Sequence, residues 1–308
     1  MFSDFFFIRE TIPTDETALE KLRKRLIAAY YFRNIFCAVL FFTFVVSVFA
    51  LSARYNIHPS ATLLLLFPFF IFAFYWQDGP QRFYGKAYRD LYKKALGERL
   101  GLKDIEFKKG TIPLGVRMSS YIVPDGRSED DLQIIFDYHG AKLTLSFNSF
   151  YSSEEEKTHF SGTFALLEFS SPLFTSLTFV IEDVGFLGKI TKEKLTDFKR
   201  VDLVDPDFEK KFDVFTEDPV EARMILHPAF IEKYKALSER YHPLSVSFFD
   251  GNKVLMTIPT THTFFSANLF SPVQNGDTFS TACEEIFYIL MLVDAIFSGD
   301  FNRKRRIP

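Results

Sequence analysis

The chain has 308 residues, 47 % of them hydrophobic and 40 of them Phe, with a formal net charge of −3 and two cysteines. Cys37 and Cys283 lie in separate apolar stretches, so they build neither a disulfide framework nor a cysteine-rich zinc site, and they suit a reducing compartment. The small net charge hides an asymmetry: residues 111–302 hold 16 Lys and Arg against 29 Asp and Glu, a net of −13, whereas residues 77–110 hold 9 against 5. An acidic body argues against a nucleic-acid partner, because phosphate binding needs a basic surface that releases counterions.

Residues 1–33 read as an apolar start, a turn at Pro13 and a helix with Glu16 and Glu20 near its beginning and a basic cluster further on. Two apolar segments follow, 34–53 and 55–77, separated by little more than Arg54. The first has no formal charge over a length that suits a hydrocarbon core of about 30 Å at 1.5 Å per residue, so 34–77 is expected to be a two-helix transmembrane hairpin. The competing reading is a buried helical hairpin in a soluble protein. Lys21, Arg23, Lys24, Arg25 and Arg33 precede the spans, Arg82, Lys86, Arg89, Lys93, Lys94 and Arg99 follow them, and the loop has only Arg54. That distribution predicts cytoplasmic termini in a multi-pass membrane protein. Residues 78–110 begin with a break at Gly79 and Pro80. An amphipathic helix follows, with Phe83, Tyr84, Ala87, Tyr88, Leu91, Tyr92, Ala95 and Leu96 on one stripe, then a linker.

From residue 111 the period changes to that of strands. Segments 132–138, 141–150, 160–169, 177–181, 198–203, 212–215, 244–249 and 254–258 are short, aromatic and β-branched, with turn signals at His139-Gly140 and Asp250-Gly251-Asn252. Helices are expected over 219–241 and 280–297, the second too short and too charged to span a membrane. The fold class is therefore α+β, with residues 111–302 a cytoplasmic domain of mainly antiparallel strands covered by two helices, and 303–308 a basic tail.

The run VDLVDPDFEKKFDVFTEDPVEARMILHPAFIEKY over 201–234, with FSGTF at 160–164 and TFFSANLF at 263–270, resembles the signature of DUF3137, a family of uncharacterised bacterial membrane proteins. The resemblance covers about 110–297 and implies a membrane protein of a family with no established reaction, so no catalytic residue carries over. Physically, the run describes architecture. Asp218 is placed to cap a helix, Pro219 takes its first position, and Glu221 is expected to close a capping box. Arg223 is a candidate partner for an acid between 202 and 213, and Pro228 is expected to kink or restart the helix.

Asp202, Asp205, Asp207 and Asp213 are the best candidates for cation binding, but Pro206 and the missing Gly depart from the calcium-loop pattern. His139, His159, His227, His242 and His262 have no paired spacing, and no nucleophile elbow, phosphate loop or dinucleotide fingerprint occurs. No catalytic, metal or cofactor residue is read from the chain. Arg303, Lys304, Arg305 and Arg306 are candidates for contact with an anionic membrane surface. The expected partners are the bilayer and another membrane or cytoplasmic protein, with no nucleic acid. The leading function is a membrane-anchored interaction or scaffold module. The alternatives are a lipid-handling module, which needs an apolar pocket of several hundred Å³, and a hydrolase using the Asp cluster.

Overall fold

A computed structural model describes residues 13, 15–55, 79–123, 127–128, 131–151, 158–182, 198–203, 205–260, 267–273 and 278–298. The segment 56–78, His262 and the tail with Arg303, Lys304, Arg305 and Arg306 lie outside the described residues, as does most of the second expected span. The chain forms two compact units, one of residues 1–94 with 267–278, the other of 95–266 with 279–308.

In the first unit, α1 runs Glu16–Tyr55 and α2 begins at Gly79, ending at Leu100. The early part of α1 buries Leu19, Leu22, Leu26 and Ala29, and α2 buries Tyr84, Ala87, Tyr88, Leu91 and Tyr92, two stripes at helical spacing. The two run antiparallel: Tyr88 interacts with Glu16, Tyr84 with Arg23. A Cβ built on Gly79 would lie 2.5 Å from Arg33 Nη1. Glu20 and Arg23 form a two-pronged pair at 2.6 and 2.7 Å, Arg23 Nη1 also donates to the Leu269 carbonyl, and Glu20 accepts from the Val273 amide. The Arg23 hydrogen bonds above all hold the Glu20 carboxyl down at about 2. Beyond Arg33 the character of α1 reverses, for Ile35, Phe42 and Phe49 are 65–70 % exposed. Thr43 and Ser47 return their hydroxyls to carbonyls three and four residues back, which satisfies them without water. α1 is long and apolar enough to cross a membrane, and 6 % of its most apolar window is buried.

The second unit is α+β around one antiparallel sheet. Its strands are β1 (Glu106–Gly110), β2 (Arg127–Ser128), β3 (Asp131–Tyr138), β4 (Ala141–Tyr151), β5 (Thr158–Phe169), β6 (Thr178–Ile181), β7 (Lys199–Arg200), β8 (Asp213–Thr216), β9 (Ser245–Phe249) and β10 (Lys253–Pro259). They lie in the order β1-β3-β4-β5-β10-β9-β6-β8-β7, with β2 on β4. Seven strands, β3, β4, β5, β6, β8, β9 and β10, stand as read from their pattern, with ends displaced by no more than two residues. The β3–β4 turn puts His139 and Gly140 at φ 51 and 78, the two positive angles of a two-residue type I′ hairpin. Two differences appear. The stretch read as linker ends in β1, and the strand expected over 198–203 forms a ladder at Lys199 and Arg200, continued by the Val201 amide donating to the Val214 carbonyl at 3.0 Å.

The helices are α3 (Leu114–Ser119), α4 (Pro206–Glu209), α5 (Pro219–Ile225), α6 (Pro228–Arg240) and α7 (Thr278–Ser298). The single helix expected over 219–241 is two, because Pro228 lacks the amide an uninterrupted helix would need and starts α6 instead. One sheet face carries Thr163, Phe169 and Phe248 against α7 and α6, through Thr163–Glu285, Phe169–Phe297 and Phe248–Phe230 contacts. The other carries Phe160, Phe164, Leu166, Phe179, Ile181, Phe249 and Leu255, packed with Ile112 and Ile122 from either side of α3. The Phe-rich alternation thus fills two cores, one on each side of a doubly covered sheet.

Candidate functional site

The signature region is organised by two Asp-Pro steps. Asp218 accepts from the Val220 amide at 2.8 Å and Pro219 occupies the first turn of α5. Asp205 does the same for α4, accepting from Asp207 and Phe208 amides at 3.0 Å, with Pro206 next. In both, the carboxylate satisfies orphan amides and proline forfeits an amide with no partner anyway.

Glu221 does not close the expected box. The Asp218 amide donates to Thr216 Oγ1 at 3.1 Å, and the Glu221 carboxylate turns to the segment before β6, accepting from the Thr175 and Ser176 amides at 2.8 Å and from both hydroxyls. Glu217 takes the Leu177 amide at 2.8 Å. Three consecutive amides entering β6 are therefore held by two carboxylates from the start of α5. Asp218→Ala is expected to lower stability by about 0.5–2 kcal/mol. Glu221→Ala, which strands amides instead of a helix end, should cost about 1–3 kcal/mol. Thermal denaturation of the two variants measures both, and equal stability of Glu221→Ala and the parent would contradict the anchoring role.

The four aspartates are not gathered. Asp205 pairs with Lys235 at 3.1 Å, Asp207 with Lys210 at 3.2 Å and Asp213 with Arg200 at 2.8 Å. The Phe208 amide first, then Lys235, hold the Asp205 carboxyl below its ordinary range. Arg223 reaches the backbone carbonyl of Asp202 at 3.3 Å and not an acid side chain. Among the described residues no group of three or more His, Cys, Asp or Glu is placed to hold a metal ion. His139 meets Asp294 at 3.2 Å, and His227 reaches the Ala295 carbonyl at 3.0 Å.

What the Asp-Pro and His-Pro steps do build is a cleft of about 640 Å³ between α4 and α6. Asp205 and Pro206 form one wall, and Pro228, Ile231, Glu232, Lys235, Ala236 and Glu239 form a stripe at helical spacing along the other. Three carboxylates face one ammonium, over a floor of Ile231, Ala236 and the two prolines. The lining is mixed, with charged groups on both walls and apolar surface between them. No strand side chain lines it.

A second arrangement escaped the sequence reading. Glu285 sits on the sheet side of α7 at 2 % exposure, its Oε1 accepting from Thr163 Oγ1 at 2.6 Å while Oε2 is buried without a hydrogen-bond partner. Burial pushes its carboxyl up to about 7, against the opposing pull of the Thr163 hydroxyl. The available signal was position: Glu285 falls on the stripe of Ala282, Ile286, Ile289 and Leu292, which the period of α7 turns inward.

No curated protein and no solved structure matches the chain. Residues 158–297 match the family described as "Protein of unknown function (DUF3137)", a span narrower at its start than the resemblance suggested. The matched region opens on β5 with its FSGTF and closes on α7, the two elements joined by Thr163 and Glu285, and over residues 158–297, a little under half of its length, the chain is similar to the DUF3137 family.

Proposed function

We propose that this protein is anchored in a membrane by a two-helix hairpin and presents its α+β domain to the cytoplasm as an interaction module. The observation that carries this reading is the return of the chain to its starting level. From Arg33, α1 continues for about 33 Å to Tyr55 at 1.5 Å per residue, yet Gly79 packs on the Arg33 guanidinium. The sequence between those two points includes the apolar run 61–76, and a helix of that length would span about 24 Å. A second span satisfies both the distance and the composition. Basic residues on both flanks favour cytoplasmic ends. For an interaction module and against lipid handling stands the chemistry of the α4–α6 cleft, whose walls carry carboxylates and an ammonium.

The test is topological. A fluorescent reporter fused after Pro308 is expected to mature in the cytoplasm, and His58→Cys is expected to react with an impermeant maleimide in intact cells, Cys37 and Cys283 being buried. Labelling from outside at the C-terminus, or none at position 58 until the membrane is permeabilised, would overturn the hairpin.

A further inference from the structure

The TFFSANLF run ends in a strap, residues 267–273, that belongs to the same compact unit as the early part of α1 and most of α2. Gln81 of α2 grips it as a neighbouring strand would, its side-chain amide donating to the Ala267 carbonyl at 2.9 Å and accepting from the Leu269 amide at 3.1 Å. The Arg23 and Glu20 bonds to Leu269 and Val273 hold it to α1. Leu269 and Val273 are buried, and between them the chain turns: the Phe270 amide donates to the Asn268 side chain at 2.9 Å and the Ser271 amide to the Asn268 carbonyl at 3.2 Å. Phe270 is thereby held outward, 49 % exposed, with its ring edge-on to Tyr30 at 5.1 Å and to Tyr31 at 6.5 Å. Tyr31 begins a stripe of α1. Ile35, Phe42 and Phe49 follow it at four, eleven and eighteen residues, one face at 3.6 residues per turn, and all four are 55–70 % exposed. Phe270 therefore extends the exposed face of α1 by one aromatic ring, next to Arg33, after which the uncharged segment begins.

We propose that the turn 268–272 is an interfacial membrane anchor, with Phe270 seated beside Tyr30 and Tyr31 at the boundary of headgroups and acyl chains. The anchor rests on the reading of α1 as a membrane span. The bilayer is the occupant for three reasons. The Phe270 ring is continuous with the exposed face of the apolar helix. Aromatic side chains with a polar tip, as Tyr30 and Tyr31 have, are placed at the end of a span by their apolar body and wet hydroxyl. Residues 267–273 carry no charge, so seating the turn there desolvates no ion. So seated, the strap ties the chain to the bilayer at a point separate from the spans, five residues before α7 begins at Thr278.

Depth-resolved fluorescence quenching tests it in the full-length protein in nanodiscs of phosphatidylcholine and phosphatidylglycerol. The single tryptophan of the chain, Trp76, is replaced by Phe, and one tryptophan is introduced as Phe270→Trp or, separately, as Phe42→Trp. Spin-labelled phosphatidylcholine carries the quencher at acyl carbon 5 or at acyl carbon 12. Phe270→Trp is expected to be quenched at least about twofold more strongly from carbon 5 than from carbon 12, and Phe42→Trp, about 14 Å beyond Arg33 at 1.5 Å per residue, in the reverse order. Phe42→Trp quenched from carbon 12 together with Phe270→Trp quenched by aqueous iodide and by neither lipid would overturn the anchor and leave the span in place. Phe270→Trp shielded from iodide and from both lipids would overturn it in favour of a second copy of the chain. Phe42→Trp quenched from neither carbon would overturn the span, and the anchor with it.

Discussion

Raising the pH from 5 to 8 is expected to destabilise the full-length protein in detergent, and Glu285→Gln is expected to remove most of that loss. Glu285 is the buried acid of α7, with Thr163 of β5 on Oε1, no hydrogen-bond partner on Oε2, and a charge that is felt by Tyr241 at the end of α6. Its folded pKa of about 7 lies above the ordinary 4.5, so the folded state binds this proton more tightly than the unfolded chain does. The resulting stabilisation is complete below about pH 4.5, declines as pH rises toward 7, and is gone above it. The shift corresponds to about 3 kcal/mol, or on the order of 5–10 °C in Tm for a domain of this size. Glutamine keeps an acceptor for Thr163 and has no charge to bury, so its curve should be flat where the parent's falls and should lie above it at pH 8. Contributions common to the two proteins cancel in the difference. Parallel Tm–pH curves for the two proteins would show that Glu285 is ionised and solvated, contrary to its burial.

Gly162→Ala is expected to cost about 2–4 kcal/mol, the largest effect of a single methyl group in the domain. Gly162 lies opposite Pro259 in the β5–β10 pairing, where an added Cβ would run into the Ile258 carbonyl oxygen, the Pro259 Cα and the Phe160 ring. Two of those three are backbone, which moves only if the ladder opens. The strain would be passed to Phe160, in edge contact with Phe164, and to Thr163, which holds Glu285. Gly115→Ala is the control, because a Cβ there meets nothing within 4 Å, and it should change stability by no more than a few tenths of a kcal/mol. Chemical denaturation of the two variants measures the contrast. A Gly162→Ala protein as stable as the control would mean that β5 and β10 do not approach this closely. The same observation gives FSGTF a physical reading: two core aromatics, one site of close backbone approach and one hydroxyl for a buried acid.

The interaction surface was only partly legible in the sequence. The acidic character of the domain and the basic character of its end are visible in composition alone. That Glu232 and Glu239 share one stripe follows from their seven-residue spacing on a helix. That Asp205 and Pro206 stand across from them does not, since they arrive from a different element twenty-odd residues earlier, and only packing sets that distance.

The sequence by itself determined whatever depends on a few neighbouring residues. The α+β class, the His139-Gly140 hairpin, the Asp218-Pro219 start of α5, the restart of a helix at Pro228 and the apolar length of α1 all follow from side-chain period and backbone restrictions within a short window. Tertiary structure decided the partners. It paired β10 with β5 and β6 with both β8 and β9, strands far apart in the chain whose pairing buries both faces of the sheet at once. Glu221 had a local partner available three residues back, yet its carboxylate bonds the Thr175 and Ser176 amides, because packing of α5 on the entry to β6 brought two unsatisfied donors within 2.8 Å. Glu285 had no local reason to hold its proton above the ordinary carboxylate range. It does so because α7 lies against β5, where water is excluded and the Thr163 hydroxyl bonds only one of its oxygens.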